Sequence, residues 1–189
     1  MPAGDRKLQI LQAIAAMLES PAGEKITTAA LAARLDVSEA ALYRHFPSKA
    51  RMFEGLIEFI ENAIFSVAGQ IVAEEANGLR QAELMLAATL RFAGKNRGLA
   101  RVMIGDALVH ENPRLQARIN QLYERLEASL KQALKLAVVQ DALRPDHDIA
   151  AHADLLVCHL LGRLQRFVKS GFRDDPLALW AVQFPLLAG

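Results

Sequence analysis

Side chains able to do chemistry cluster in two stretches of this chain, and only one of them has a useful spacing. Between Ser38 and Lys49 lie Glu39, Tyr43, Arg44, His45 and Ser48. Ser38 can cap a helix by accepting from a backbone N–H, and Pro47 stops that helix at Phe46, because the residue before a proline avoids the α region. About two turns remain, enough to cross one major groove. Leu42 and Phe46, four apart, share the face that anchors the helix to a core. The opposite face carries Glu39, Ala40, Tyr43, Arg44 and His45. Ser48 and Lys49 then open a second, longer helix whose first N–H groups suit a phosphate. This is the chemistry of a recognition helix followed by a phosphate clamp. Thr28, Ser38, Tyr43, His45 and Lys49 are assigned to phosphates, and Glu39, Ala40 and Arg44 to base edges. His45 packing on Pro47 and Tyr43 sitting partly in a core are the competing readings of those two.

The second stretch holds His147, Asp148, His152, Cys158 and His159. His152 and His159 share a helix face, but two turns separate them by roughly 10 Å, too far for one metal. Asp148 and His152 can meet as an ordinary surface pair. Cys158 is expected to be a small buried hydrophobe. No glycine-rich phosphate loop and no G-x-S-x-G is present, so an enzyme is not expected, nor a cofactor or metal. Met85, Phe92, Met103 and His110 could line a ligand cavity or simply fill core.

The elements that must position these residues are helical throughout. The 189 residues are 52% hydrophobic with a formal net charge of only +1, so any DNA affinity needs a local cluster of charge. A single cysteine excludes an internal disulfide framework and fits a reducing compartment. The start lacks a signal-peptide core, and no apolar run is expected to approach the roughly 20 residues of a membrane span. A cytoplasmic protein that does not enter membranes is the expectation. Leu8, Ile10, Leu11, Ile14 and Leu18 mark a helix from about Asp5 to Glu19, ended by Ser20 to Gly23. Thr27 or Thr28 caps a short helix through Arg34. Asp36 and Val37 turn the chain into Ser38, the layout of a helix-turn-helix. A long apolar helix follows from Ser48 until Asn77 and Gly78, then a helical run to about Phe92, a polar turn over 94–98, and a short helix from Leu99 to His110. Leu115, Ile119, Leu122, Leu126, Leu130 and Leu134 recur through a helix beginning at Pro113, either a long antiparallel packing helix or a short coiled coil. After a linker over 144–148, an apolar helix spans Ile149 to Ser170, ended by Gly171, and a short apolar tail carries Trp180 and Phe184. No segment alternates like a strand. The fold class is all-α, with a head over residues 1–47 and a helical body over 48–189.

Residues 26–49, ITTAALAARLDVSEAALYRHFPSK, resemble the DNA-binding head of the TetR-type regulators, with Asp36 where that family usually has glycine. Asp tolerates the left-handed turn better than most residues. Arg51–Glu61, Asn96–Leu99, Arg118–Arg125 and Arg166–Phe172 are further similar to the branch of that family that inhibits cell division by nucleoid occlusion. The N-terminal arm, with only Arg6 and Lys7 as cations, departs from it.

The resemblance implies a homodimer built on the last two long helices, near-palindromic double-stranded DNA sites, and a nucleoid-associated role. It also implies a DNA-activated contact with the C-terminal tail of the tubulin-like division protein FtsZ. Phe59, Arg91, Lys95 and Asn96 stand at the matching positions, between the long fourth helix and the next. The alternative is a repressor of the same family released from its operator by a small molecule in the body.

Overall fold

The computed structural model describes residues 3–20 and 26–188, with side chains from Arg6 onward. Pro21 to Gly23, expected to end the first helix, lie outside the described residues. Among the described residues there are α-helices and one 3-10 turn but no strand: α1 (Ala3–Leu18), α2 (Thr28–Arg34), α3 (Glu39–Tyr43), α4 (Lys49–Glu74), α5 (Gly78–Lys95), α6 (Arg97–Met103), α7 (Pro113–Val139), α8 (Ile149–Lys169) and α9 (Trp180–Ala188). The chain is all-α.

Two compact units divide it. The first takes in residues up to Ile60 together with Asn96–Ile119, and the second Glu61–Lys95 with Asn120 onward. In the first, Ile10, Ile14, Leu31, Leu42, Met52, Phe53, Leu56 and Ile57 are all buried. Helix α6 lies directly on α1: a Cβ at Gly98 would stand 1.9 Å from the Ala15 carbonyl oxygen, so only glycine allows the approach. Arg101, paired with Asp106 at 2.7 Å, donates to the carbonyls of Leu18 and Ser20 at 3.3 Å each. It thereby satisfies acceptors that the end of α1 leaves open.

Two boundaries differ from expectation. The polar turn over 94–98 shrinks to Asn96, because α5 runs on to Lys95 and α6 starts at Arg97. The helix expected from Leu99 to His110 breaks at Gly105, whose φ of 77° leaves the helical region, and continues as a 3-10 turn over Asp106–Leu108. A third correction concerns α4. Its best 18-residue window has a mean hydropathy of 1.4, within the range of a spanning helix. Met52, Phe53, Leu56, Ile57 and Ile60 nevertheless serve the core of the first unit, and Ile64 and Ala68 that of the second.

In the second unit α5 packs on α7 through Gly78, where a Cβ would meet the Ala133 carbonyl oxygen at 2.3 Å. Gln140 secures the start of α5, accepting from Gly78 N at 2.9 Å and donating to the Ala76 carbonyl at 2.7 Å. Asp148 caps α8 by accepting from the Ala150 and Ala151 amides, both at 3.0 Å, instead of pairing with His152. His152 instead meets His147, ring nitrogen to ring nitrogen at 2.7 Å. Gly171 ends α8 at φ 67°, with Phe172 N donating to the Phe167 carbonyl at 2.9 Å. Buried Arg163 ties down the chain before α9, donating to the carbonyls of Asp175, Pro176 and Ala178 at 2.8, 3.0 and 2.8 Å. Cys158 is exposed, not buried. The packed face of α8 is His152, Ala153, Leu156, Leu160, Arg163, Leu164 and Phe167, and Cys158 lies on the other side.

Gly98→Ala is expected to destabilise the protein by about 3 kcal/mol or more, because backbone rather than a movable side chain stands in the way. Gly69→Ala, on an open face of α4 with nothing within 4 Å, is expected to add about 0.5–1 kcal/mol. Urea unfolding of both variants checks the pair. Burial and then His147 lower the pKa of His152, and burial and then Arg163 lower that of His159. The unfolded chain therefore takes up more protons once pH drops below about 6.5, and stability falls with it. Unfolding midpoints at pH 7.5 and 5.5 should differ less in the His152→Gln/His159→Gln variant than in the parent.

Candidate nucleic-acid interface

Thr27, in extended backbone, caps α2 by accepting from Ala30 N at 3.1 Å. That leaves the Thr28 hydroxyl free for another task. It donates to the Glu39 carboxylate and accepts from the Tyr43 hydroxyl at 3.5 Å, so it links the start of α2 to both ends of α3. The turn between the helices closes through Asp36 N to the Ala33 carbonyl at 3.3 Å and Val37 N to the Ala32 carbonyl at 3.0 Å. This pairing requires a left-handed residue, and Asp36 supplies it at φ 52°. Ser38 then caps α3, accepting from Ala41 N at 3.2 Å. Its own O–H proton stays available as a donor.

Helix α3 is shorter than the expected two turns. Beyond Tyr43 the chain tightens, with His45 N and Phe46 N both donating to the Leu42 carbonyl, at 2.9 and 3.0 Å. Leu42 and Phe46 are buried, and the Lys7 ammonium sits 5.7 Å from the Phe46 ring centre. Glu39, Ala40, Tyr43 and Arg44 are exposed and His45 is half-buried. Exposed Arg34 and Arg44 have no ion pair among the described residues. Glu39, Ala40, Tyr43 and Arg44 thus lie outward while Leu42 and Phe46 lie inward, the division that their spacing suggested.

Lys49 is placed differently from a free clamp. It forms an ion pair with Glu111, both side chains largely covered, and lies 5.7 Å from the Phe53 ring centre. Glu111 is a residue that sequence reasoning missed: it stands 62 positions away, in the turn before α7, and no local pattern signals it. Ser48 caps α4 by accepting from Arg51 N at 3.2 Å, and Arg51 is paired with Glu54 at 2.6 Å.

Of the residues assigned to a protein partner, Phe59 is 44% exposed on α4, which sets it apart from the core. Asn96, half-buried, belongs with Phe59 to the first unit; Arg91 and Lys95, both exposed on α5, belong to the second. These two cations stand one turn apart, and neither has an acidic partner among the described residues. Like charges at that spacing repel, a local cost that an anionic partner would relieve.

A cleft of about 130 Å³ in the second unit is lined by Ile64, Ala68, Met85, Thr89, Phe92 and Leu126, among others. Met85 and Phe92 line this cleft, and Met85 is at the same time buried in the core of the second unit. Met103 and His110 do not: Met103 is core of the first unit and His110 is exposed. The one hydroxyl in the lining, Thr89, is already bonded to the Met85 carbonyl at 2.9 Å. Drug-sized ligand sites run to roughly 300–1,000 Å³. Among the described residues no group of three or more His, Cys, Asp or Glu side chains is placed to hold a metal.

Comparison with known proteins matches residues 10–56 to the family described as bacterial regulatory proteins, tetR family, and residues 76–189 to the tetracyclin repressor-like C-terminal domain of SlmA-like proteins. The chain is 47% identical over 184 residues to the nucleoid occlusion factor SlmA of Marinomonas sp. (strain MWYL1), covering 97% of this chain and 93% of the relative. It is 51% identical over 172 residues to the nucleoid occlusion factor SlmA of Alteromonas mediterranea, covering 91% and 88%. Among solved structures, the TetR family regulator PfmR of Thermus thermophilus aligns with a TM-score of 0.79 at 21% identity, over 95% of this chain and 96% of that one. The fatty acid degradation regulator FadR of Bacillus halodurans aligns at 0.82 and 16% identity, over 97% and 94%. At such identities the structures establish the shared fold.

Asp36→Gly is expected to stabilise the protein by up to about 1 kcal/mol, since glycine enters the left-handed region without a Cβ penalty, offset in part by its freer unfolded chain. Thermal unfolding measures the gain; a loss of stability would mean that the Asp36 side chain itself holds the turn.

Proposed function

The chain belongs to the TetR family, and within it to the nucleoid occlusion factors SlmA; from that membership we propose that it binds near-palindromic chromosomal DNA as a homodimer and, while bound, restrains assembly of FtsZ over the nucleoid. It is a regulator and not an enzyme. Residues 1–47 are the DNA-binding head and 48–189 the regulatory and dimerising body, and the protein works in the cytoplasm on the nucleoid. The observation that carries DNA binding is the exposed Glu39, Ala40, Tyr43 and Arg44 over a buried Leu42 and Phe46. Ser38, Tyr43, His45 and Lys49 hold phosphates, with Thr28 at the edge of the same face; Arg44, Glu39 and Ala40 meet the bases.

Dimerisation is supported by α8. Ala151, Leu155, Cys158 and Gly162, spaced four, three and four apart, are all exposed on the side away from its packed face. Leu155 is 50% exposed, and a Cβ at Gly162 would meet nothing within 4 Å. A second copy can approach closely there. The FtsZ tail is assigned to Phe59, Arg91, Lys95 and Asn96 because the family resemblance implies those positions; Phe59 in the first unit is exposed, and Arg91 and Lys95 in the second have no acidic partner among the described residues. The competing reading is a ligand-released repressor; the cleft lined by Ile64, Met85 and Phe92 gives it little support, since its one hydroxyl is already bonded.

Binding of a fluorescent peptide from the FtsZ C-terminal tail, with and without chromosomal DNA fragments, tests the reading. Saturable binding that specific DNA strengthens, and that Phe59→Ala and Lys95→Glu each weaken about tenfold or more, is expected. No binding under either condition would sink the division role. If Lys49 leaves Glu111 for a phosphate, Lys49→Ala lowers the salt slope of DNA binding by about one, measured by anisotropy from low to moderate salt.

A further inference from the structure

A carboxylate in the recognition helix needs a reason. Duplex DNA carries about one negative charge per 1.7 Å of axis, so Glu39, exposed in the first turn of α3, is repelled by any duplex that offers it nothing. It is nevertheless held in place. Thr28 donates to one carboxylate oxygen, Oε2, and Tyr43 backs Thr28 through its own hydroxyl. Because Thr27 already does the capping, nothing local to α2 calls for that Thr28 hydroxyl. Thr28 bonds to just one of the two oxygens, and an ionised carboxylate accepts at about four lone-pair positions. Oε1 has no partner among the described residues and can accept from a further donor.

In the major groove the base-edge donors are the exocyclic amino groups, N4 of cytosine and N6 of adenine; guanine and thymine present acceptors and, in thymine, a methyl group. Resting on the DNA-binding reading above, we infer that Glu39 is a specificity-determining residue that selects a base carrying an exocyclic amine, cytosine first, at one position of each half-site, and that Thr28 is its positioning residue rather than a phosphate ligand. Two effects combine. A matching base supplies the donor that offsets phosphate repulsion, whereas guanine or thymine sets acceptor against acceptor. Thr28 and Tyr43 hold the Glu39 side chain before contact, so less rotamer freedom is lost on binding. The carboxylate is thereby a filter against unmatched DNA as much as a contact to the matched sequence.

The test uses the full-length protein. A randomised duplex library first selects a preferred sequence for the parent. Duplexes bearing each base pair at each half-site position are then titrated at fixed salt against the parent, Glu39→Ala, Glu39→Gln, Thr28→Val and the Thr28→Val/Glu39→Ala double variant, all verified as folded by circular dichroism. The parent is expected to favour cytosine or adenine over guanine or thymine by about 5- to 100-fold at one position per half-site. Glu39→Ala flattens that position alone and binds unselected duplex at least as tightly as the parent. Glu39→Gln, whose amide both donates and accepts, moves the preference toward adenine. Thr28→Val weakens discrimination at the same position and adds nothing in the Glu39→Ala background. Equal weakening on every duplex by Thr28→Val, in both backgrounds, would make Thr28 a phosphate ligand and overturn the inference. So would a Glu39→Ala variant that keeps the parent's base preferences. Failure of the parent to bind any duplex overturns the DNA-binding reading as well, and is told apart because no variant then needs comparing.

Discussion

The first unit depends on one backbone-to-backbone approach, the seating of α6 on α1 at Gly98. Where a side chain would collide with the Ala15 carbonyl, two helices instead touch along their main chains. Arg101 then fastens the end of α1 through the carbonyls of Leu18 and Ser20. Helix α1 is therefore held from one side by α6 while it presents Ile10 and Ile14 to the core it shares with Leu31, Leu42 and Phe53. The short helices α2 and α3 have too few residues to stand alone. Their geometry is inherited from that support.

On this support the head is finished by local hydrogen bonds. Thr27, Ser38 and Ser48 each satisfy a helix start, and Asp36 takes the left-handed turn that sets α3 against α2. With the caps taking up Thr27, Ser38 and Ser48, the hydroxyls of Thr28 and Tyr43 remain to organise the outward face around Glu39. Charge follows the same economy. Among the described residues Arg34 and Arg44 have no acidic partner, whereas Lys49 is paired with Glu111. A protein of net charge +1 can in this way present a local positive surface without being a polycation.

The second unit repeats the device of close backbone contact. Gly78 lets α5 meet α7, and Gln140 closes the joint from the far end of α7. Between these helices lies a cleft of about 130 Å³ whose one hydroxyl is already bonded to the Met85 carbonyl. The open faces are elsewhere, along Ala151, Leu155, Cys158 and Gly162 on α8 and around Arg91 and Lys95 on α5.

The left-handed turn at Asp36 was implied by the family resemblance, since that family usually has glycine there. Helix type, the helix-turn-helix and the outward residues of α3 were legible in the sequence, because each follows from spacing within a few residues: apolar residues four apart, a capping hydroxyl, a proline stop. The break at Gly105, the extension of α5 to Lys95 and the outward face of Cys158 were not, because local propensity permits either outcome and packing against distant segments decides. The same is true of chemistry. Sequence alone marked Lys49 and Glu39 as groups fit for DNA, but the ion pair of Lys49 with Glu111 joins residues 62 positions apart. The choice of Thr27 over Thr28 as cap, which frees Thr28 for Glu39, needed the two helix starts to be brought together in space. Short-range pattern determined which residues this protein could use, and tertiary contact decided which partners each of them has.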